Sequence, residues 1–286
     1  MNNAAKKPVS VEERAQLRPW MLPGTALEWN TDEPRLVDLA DRFEPISLVE
    51  MDTVALLNRI DTKFLMTAAQ LLTALEALQE QYWILSINGK HLNHYRTLYF
   101  DTADFALYNL HVNGRAERYK VRSREYTDTG LAFLEVKHKT RKDRTIKERI
   151  STDRPVTRMD WESERWLQGV YPYDGRALEP KLWNTFTRIT LVSKANCERV
   201  TLDVDLAFFT AARLVRLDGI AVAEVKMDAR DCRSPFLEQM HAQHIRPDGF
   251  SKYCIGVALL YRQVKRNLML PKLLKIERIS GGISHE

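Results

Sequence analysis

The segment from Arg118 to Arg124 places a cation at every second position and constrains the fold more than any other feature. The four cations are Arg118, Lys120, Arg122 and Arg124. Because side chains of a β-strand point alternately to opposite faces, this spacing puts all four on one face of a strand. Four neighbouring cations repel one another, so the pattern predicts a strand whose charged face meets an anion or neighbouring carboxylates.

The same alternation of charged and uncharged positions recurs in five further segments. Their charged positions are Arg59, Asp61 and Lys63; Glu135, Lys137 and Lys139; Lys147 and Arg149; Arg199, Asp203 and Asp205; and Glu224 and Lys226. An amphipathic sheet with one side on helices and the other in water would explain the alternation. It explains the composition less well: a solvent-exposed face without a function also tolerates Ser, Thr, Gln and Asn, whereas nearly every such position here is charged.

Eight segments have the pattern of strands and six have the pattern of helices. The strands are predicted over 57–66, 94–101, 116–126, 131–140, 144–151, 184–193, 198–206 and 219–228. The helices are predicted over 49–58, 67–81, 104–112, 159–169, 234–244 and 251–267. Short loops join several strands, as in antiparallel hairpins. The predicted fold is α+β: an eight-stranded antiparallel sheet that curls into a tunnel, with the charged faces inside and the helices packed outside.

The chain is predicted to divide into three segments. Residues 1–45 carry scattered prolines and form an N-terminal extension, 46–267 form the tunnel domain, and 268–286 form a C-terminal tail. The sequence has no run of about 18 apolar residues, which argues against a membrane span, and no apolar core of a secretory signal at its start. Cys197, Cys232 and Cys254 fit neither a disulfide framework nor a zinc pattern, so a reducing cytoplasm is predicted.

The distribution of charge indicates an anionic partner. Residues 115–149 contain twelve Lys or Arg against six Asp or Glu, a local net of +6 in a chain of net +5. A solvated basic face without a partner is the alternative. Inorganic polyphosphate and nucleoside triphosphates suit rows of cations, because Arg offers phosphate a planar fork and Lys a compact point charge.

Carboxylates on the charged faces are candidates for a metal site. They are Asp61, Glu135, Asp203, Asp205 and Glu224. Mg²⁺ and similar ions need only one or two carboxylates when substrate phosphates supply the other ligands. Each of these carboxylates could instead pair with a neighbouring Lys or Arg.

Several common signatures are absent or weak. The chain has neither GxxxxGK[ST] nor GxGxxG, so a P-loop or Rossmann turn does not cradle phosphate, and GxSxG is also missing. His91 and His94 lack a third ligand, which favours a loop or surface role. Trp161, Trp166 and Trp183 are predicted to be core residues. Aromatic residues do not interleave the charged positions of 118–124, which argues against RNA binding.

Taken in chain order, the strand motifs form a recognisable set. They are Arg59–Phe64, Tyr95–Thr97, Tyr99–Thr102, Arg118–Arg124, Phe133–Lys137, Lys147–Arg149, Arg188, Arg199 with Asp203, Ala223–Lys226 and Ser251–Tyr253. This set resembles the catalytic domain of the vacuolar transporter chaperone (VTC) polyphosphate polymerases, within the CYTH-like triphosphate tunnel metalloenzyme superfamily. The resemblance covers about residues 45 to 265, and the order of the motifs is more specific than any one of them.

The resemblance implies transfer of the ATP γ-phosphate onto a growing polyphosphate chain, with release of ADP and with Mn²⁺ or Mg²⁺ as cofactor. It implies a catalytic group of Lys63, Arg122, Arg124, Lys137 and Lys147. It implies substrate binding by Arg96, Lys120, Arg188, Arg199, Lys226 and Lys252. For the metal, the expected ligands are Glu224 and Glu135.

Two departures from the family pattern affect the expected function. Hydrolytic members of the superfamily begin with Glu-x-Glu-x-Lys, where this chain has Arg59, Asp61 and Lys63, and the lost carboxylate disfavours a two-metal hydrolase. An inorganic or nucleoside triphosphatase and a non-catalytic polyphosphate-binding module remain alternatives. The eukaryotic polymerase also carries a phosphate-sensing domain and membrane helices that are not found here. The expectation is therefore a cytoplasmic protein that can work at the inner face of a membrane through a membrane-protein partner.

Overall fold

The computed structural model describes residues 34–53, 59–142, 144–228, 233–280 and 284–285. Predictions about residues 1–33, about the end of the helix predicted over 49–58, about the Arg59 side chain and about Cys232 lie outside the described part. Of the other two cysteines, Cys254 is buried and Cys197 is exposed.

Within the part of the chain that the structure describes, twelve strands join in one sheet. They are β1 (Glu44–Ile46), β2 (Arg59–Thr67), β3 (Tyr82–Leu85), β4 (Asn93–Asp101), β5 (Arg118–Tyr126), β6 (Leu131–Lys139), β7 (Thr145–Thr152), β8 (Glu179–Ser193), β9 (Glu198–Phe209), β10 (Leu214–Leu217), β11 (Ile220–Asp228) and β12 (Ser284–His285). The eight long strands pair antiparallel in the order β2-β11-β9-β8-β4-β5-β6-β7. They coincide with the eight predicted strands, so the prediction is confirmed. The four additional strands have two to four residues each, too few for a detectable period.

Eight α-helices accompany the sheet in the described residues. They are α1 (Pro34–Ala40), α2 (Leu48–Thr53), α3 (Ala68–Leu78), α4 (Ala106–Val112), α5 (Trp161–Val170), α6 (Pro235–Ala242), α7 (Lys252–Leu260) and α8 (Leu270–Ser280). Thr67 caps α3 as predicted: its Oγ1 accepts a hydrogen bond from the backbone N–H of Gln70 at 3.1 Å. None of the described helices has the length and apolar character needed to cross a membrane.

The outer face of the sheet carries helices, as predicted. Helices α1, α3 and α6 pack on β2, β11, β9 and the C-terminal part of β8 through one apolar cluster that includes Leu75, Phe236 and Leu202. Helix α5 packs on β4, β5 and β6 through a second cluster that includes Leu167 and Val136. These clusters bury most uncharged positions of the alternating strands and so leave the charged positions on the other side. Ile60 of β2 and Ile146 and Ile150 of β7 stay exposed.

Helix α7 lies on the opposite, inner side of the sheet. Its residues Tyr253 to Leu260 are all buried, and they pack on the inner-facing side chains of Tyr99, Leu182 and Phe186. The helix predicted over 251–267 ends earlier, at Leu260, where Arg213 donates a hydrogen bond to the Leu260 carbonyl at 2.7 Å. Helix α7 therefore fills one end of the space that the sheet encloses.

A β-bulge in β9 changes which side chains face inward. Asp205 has a φ of +53°, and the pairing of β9 with β8 shifts by one residue at this point. Asp203 faces inward before the bulge, whereas Leu206 and Phe208 join the inner cluster after it. The alternation predicted along this strand therefore does not continue beyond Asp205, because the bulge interrupts the period of two.

Candidate active site

The inner face of the sheet encloses a cavity of about 680 Å³. Its wall includes Lys63 of β2, Lys120 of β5, Lys137 of β6, Thr145 of β7 and Glu224 of β11. Because β2 and β7 are the two ends of the eight-strand path, one cavity lined by both strands requires the sheet to curl round on itself. The enclosed space is the predicted tunnel.

Ten of the eleven predicted cations lie on the inner face. They are Lys63, Lys120, Arg122, Arg124, Lys137, Lys147, Arg188, Arg199, Lys226 and Lys252. The strand registers bring them together: Lys120, Lys137 and Lys147 stand side by side on β5, β6 and β7. Lys252 comes from the first turn of α7 and contacts Asp203 of β9.

Arg96 is the exception, and its predicted role in binding phosphate in the tunnel is corrected. It lies opposite Glu125 on β5, on the outer face, while Thr97 lies opposite the inward Arg124. Arg96 forms an ion pair with Glu125 at 2.6 Å and lies 4.9 Å from the centre of the Trp183 ring. The strand alternation thus directs Arg96 away from the tunnel and gives it a partner in the outer layer.

Three carboxylates each hold two of the tunnel cations. The groups are Glu135 with Arg122 and Lys147, Asp203 with Arg188 and Lys252, and Glu224 with Lys63 and Lys226. The Glu135 carboxylate lies 2.7 Å from Arg122 and 2.5 Å from Lys147. The Glu224 carboxylate lies 2.9 Å from Lys63 and 2.8 Å from Lys226. Since each carboxylate cancels one charge of two, every group keeps a net positive charge that faces the tunnel.

These cations keep the three carboxylates ionised. Burial opposes the ionisation of Glu135, but the attraction of Arg122 and the neighbouring cations outweighs it and lowers the pKa of Glu135 to about 2. The same balance between burial and two close cations holds the pKa of Asp203 and of Glu224 well below the usual range. These three carboxylates therefore stay negatively charged throughout the physiological pH range.

Three further cations have no ion pair with a described carboxylate. Lys120 donates to the hydroxyl of Ser251 at 3.1 Å, and Arg124 donates to Thr97 at 3.2 Å. The Lys137 side chain is exposed to the cavity. Burial and the repulsion of Lys120 lower the pKa of Lys137 to about 8, and burial likewise lowers the pKa of Lys120. Uncompensated cations of this kind are the ones that a polyanion would neutralise.

The two carboxylates predicted as metal ligands differ in their surroundings. Glu135 is 1% exposed, is held between two cations and is not part of the cavity wall, so a metal-binding role for it is corrected to that of an ion-pair partner. Glu224 lines the cavity together with Asp61. Within the described residues no three His, Cys, Asp or Glu side chains cluster as a metal cage. Glu224 and Asp61 therefore fit an ion that takes most of its ligands from substrate phosphates.

The cavity also has wall residues that the sequence did not indicate. Lys272 of α8 lines it, as do Leu268 and Met269 in the turn before that helix. His111 of α4 contributes a neutral ring, because burial and the nearby Lys120 lower its pKa to about 3. No strand alternation marks these positions, since they reach the cavity from helices packed at its rim.

Other candidate residues have structural roles. His91 contacts Asp41 at 3.0 Å from the loop before β4, which agrees with the loop role predicted for it. His94 lies within β4 and contacts Asp128 at 3.0 Å, so the loop or surface role predicted for it is wrong. Trp183 belongs to the outer core and Trp166 packs partly against it, as predicted. Trp161 is 68% exposed, so the prediction that it is a core residue is wrong. It begins α5 on the solvent side of that helix.

Comparison with known proteins gives one family and several structural neighbours. A family model described as the VTC domain matches residues 58–261. A candidate adenylate cyclase from Vibrio parahaemolyticus is 14% identical, with a TM-score of 0.41 over 69% of this chain and 97% of that chain. A similar protein from Bacillus halodurans is 13% identical, with a TM-score of 0.42 over 71% and 97%.

A third neighbour is a candidate adenylyl cyclase from Hippeastrum, described as having a dominant triphosphatase activity. It is 16% identical, with a TM-score of 0.40 over 70% of this chain and 95% of that chain. No curated protein matches the sequence.

Proposed function

The chain belongs to the VTC domain family, and on that premise we propose that it is a metal-dependent polyphosphate polymerase. It transfers the γ-phosphate of ATP onto the end of an inorganic polyphosphate chain and releases ADP. The observation that carries the proposal is the excess of cations over carboxylates on the inner face, arranged in rows along neighbouring strands. A linear polyanion can meet such rows over many phosphates at once, whereas a single phosphate could use only a few of them.

Phosphoryl transfer needs positioning and charge stabilisation more than a covalent protein group. We assign Arg122, Arg124, Lys137, Lys147 and Lys63 to the transferred phosphate and its neighbours. Arg122 and Lys147 are themselves held in place by Glu135, so little reorganisation is required when phosphate enters. A bond forms between an oxygen of the chain's terminal phosphate and the γ-phosphorus, and the bond from that phosphorus to the ADP oxygen breaks.

The remaining tunnel cations are assigned to the phosphates on either side. Lys120, Arg188, Arg199, Lys226 and Lys252 would bind the incoming chain and the rest of the triphosphate. Mn²⁺ or Mg²⁺ would be held by Glu224, with Asp61 beside it, and would neutralise charge on the substrate phosphates. Lys63 and Lys226 both form ion pairs with Glu224. Metal binding at Glu224 would therefore require these two lysines to pair with the substrate phosphates instead.

The test is incubation of the purified full chain with ATP and Mn²⁺ or Mg²⁺, with and without a short polyphosphate primer, followed by gel electrophoresis and an ADP assay. We expect long chains and one ADP for each phosphate added. Free phosphate without chains would identify a triphosphatase instead, and tight polyphosphate binding without ADP would identify a binding module.

Two variants test the assigned site. Arg122→Ala is expected to lower the rate about 10²-fold or more. Losses of this size are typical when an enzyme loses one preorganised hydrogen-bond donor to the group being transferred. Glu224→Gln should raise the metal concentration needed for half-maximal rate. Arg176→Ala is the matched control, since Arg176 is an exposed arginine that pairs with Asp174 in the turn before β8 and does not line the cavity. Full activity in both site variants, with circular dichroism unchanged, would refute the assignment.

A further inference from the structure

Three large apolar side chains within seven residues are exposed near the C-terminal end of the described chain. Leu268 is 61% exposed, Leu270 41% and Leu274 58%. Leu270 and Leu274 are four residues apart on α8 and therefore share one face of the helix. Scattered single exposed leucines need no explanation, but a cluster within seven residues marks an interaction surface.

Cations are frequent in the segment that carries this cluster. Residues 262–278 contain six Lys or Arg and a single acidic residue, Glu277. Arg262, Lys265 and Arg278 are exposed. A helix with apolar residues on one side and cations at its flanks has the composition of helices that lie on membrane surfaces.

The other side of α8 is fixed to the body of the protein. Leu273 and Ile276 are buried in the cluster that also contains α7, and Asp248 holds Lys272 at 2.9 Å and Lys275 at 2.8 Å. The helix has 11 residues, which makes it about 16 Å long, against about 30 Å for the apolar thickness of a bilayer. It is therefore built to lie along a surface and not to cross it.

We propose that α8 and the turn before it dock this protein on an anionic lipid bilayer. The leucines enter the boundary between headgroups and acyl chains, and the exposed cations contact the anionic headgroups. Charge complementarity favours lipid as the occupant, because each cation near such a surface adds attraction that an uncharged partner would not provide. Leu268, Met269 and Lys272 also line the tunnel cavity, so docking brings that rim of the tunnel next to the bilayer. The proposal is independent of the catalytic activity.

The experiment is cosedimentation of the purified full chain with phosphatidylcholine vesicles that contain or lack phosphatidylserine. We expect binding only to the anionic vesicles, and a loss of binding as the salt concentration rises. Leu270→Ser combined with Leu274→Ser should lower the partition coefficient at least about tenfold, because two side chains lose their burial in the bilayer. Lys265→Gln combined with Arg278→Gln should lower it about 30-fold, at about 1 kcal/mol for each cation.

Two controls separate docking from other causes. Leu131→Ser removes an apolar side chain that is 53% exposed on β6 and should leave vesicle binding unchanged. Hydrogen exchange should slow in residues 268–275 when anionic vesicles are added. This readout and the polymerase assay are separate, so the failure of one proposal does not imply the failure of the other.

Three outcomes would overturn the docking proposal. The first is no sedimentation with any vesicle. The second is equal binding by the wild type and both double variants, which would point to the tunnel cations as the lipid contact. The third is self-association in light scattering that the leucine variant abolishes, without vesicle binding, which would make a second copy of the chain the occupant of this surface.

Discussion

Lys137 is the residue at which binding and stability oppose each other most directly. Its neighbours across the sheet are Lys120 on β5 and Lys147 on β7, and it has no ion pair with a described carboxylate. Its pKa of about 8 lies below the ordinary value of 10.5, so the folded protein holds this charge at a cost. Proteins accept such costs where the charge serves a ligand.

Lys137→Met tests this balance through its pH dependence. In the wild type the full destabilising effect of the Lys137 charge is present below about pH 8, and it disappears as the pH rises from about 8 to 10.5. The wild-type free energy of unfolding therefore increases over that range. The variant should melt about 2–4 °C higher at neutral pH, which corresponds to about 1 kcal/mol. Its polyphosphate affinity should fall about tenfold, as expected for a lost contact to a charged group.

Calorimetric titrations on both sides of pH 8 provide the measurement. Wild-type affinity for polyphosphate should weaken as Lys137 loses its proton, and the variant should show a flatter pH profile. Lys194→Met is the control, because Lys194 pairs with Glu44 outside the tunnel. A steeper profile in the Lys137 variant than in the wild type would contradict this account.

Helix α7 is the element that connects the apolar core to the site. Its first turn supplies Lys252 to Asp203, its N-cap Ser251 accepts a hydrogen bond from Lys120, and Tyr253 donates to the buried Asp101. Behind that turn the helix packs tightly on the sheet at Gly256, where a Cβ would lie 2.7 Å from the Phe208 ring and 3.0 Å from Leu182. The glycine therefore sets how deeply the helix enters the tunnel.

Gly256→Ala should destabilise the protein although alanine is the better helix former. Overpacking costs about 1–3 kcal/mol, while helix propensity returns about 1 kcal/mol. Thermal melting should fall by up to several degrees, and polyphosphate binding should weaken as Ser251 and Lys252 shift. Gly169→Ala in α5 is the matched control, since a Cβ there meets nothing within 4 Å, and it should melt at or above the wild-type temperature. Equal melting temperatures for the two variants would show that α7 has room to move.

At the scale of the whole molecule, the tunnel concentrates like charges that the fold must hold together. The carboxylates Glu135, Asp203 and Glu224 neutralise part of this charge, and the outer apolar clusters keep the strands in register. A bound polyanion would supply the missing negative charge. Ligand binding to the folded state alone therefore stabilises it by mass action.

Polyphosphate is expected to raise the melting temperature substantially. At a free concentration of about 100 times Kd the gain is about 2.7 kcal/mol, or several degrees, and it should shrink as added salt screens the tunnel. Differential scanning fluorimetry with chains of increasing length provides the measurement. A variant with Arg122→Ala and Lys63→Met together should show a much smaller shift. An unchanged melting temperature at saturating polyphosphate would contradict a polyanion-binding tunnel.

The sequence by itself determined the eight long strands, which of their residues point inward, and the chemistry of the ligand that suits them. This was possible because side-chain direction along a strand is local: a period of two needs no knowledge of the partner strand. The outward direction of Arg96 could not be predicted in this way, because β4 has large side chains on both faces. Tyr95 and Tyr99 lie on one face, and Leu98 and Phe100 lie on the other. The alternation also fails to predict the positions of β9 after Asp205, because a bulge there interrupts the period.

Only the tertiary structure decided which charges compensate one another and what completes the cavity. The assignment of Glu135 to an ion pair and of Glu224 to the cavity wall depends on curvature that brings β2 and β7 to one cavity. The contributions of Lys272 and of α7 depend on helices that return to the sheet from more than 100 residues beyond β5 and β6. The physical reason is that pairing energies and burial depend on distance in space, which the spacing of residues along one strand does not contain.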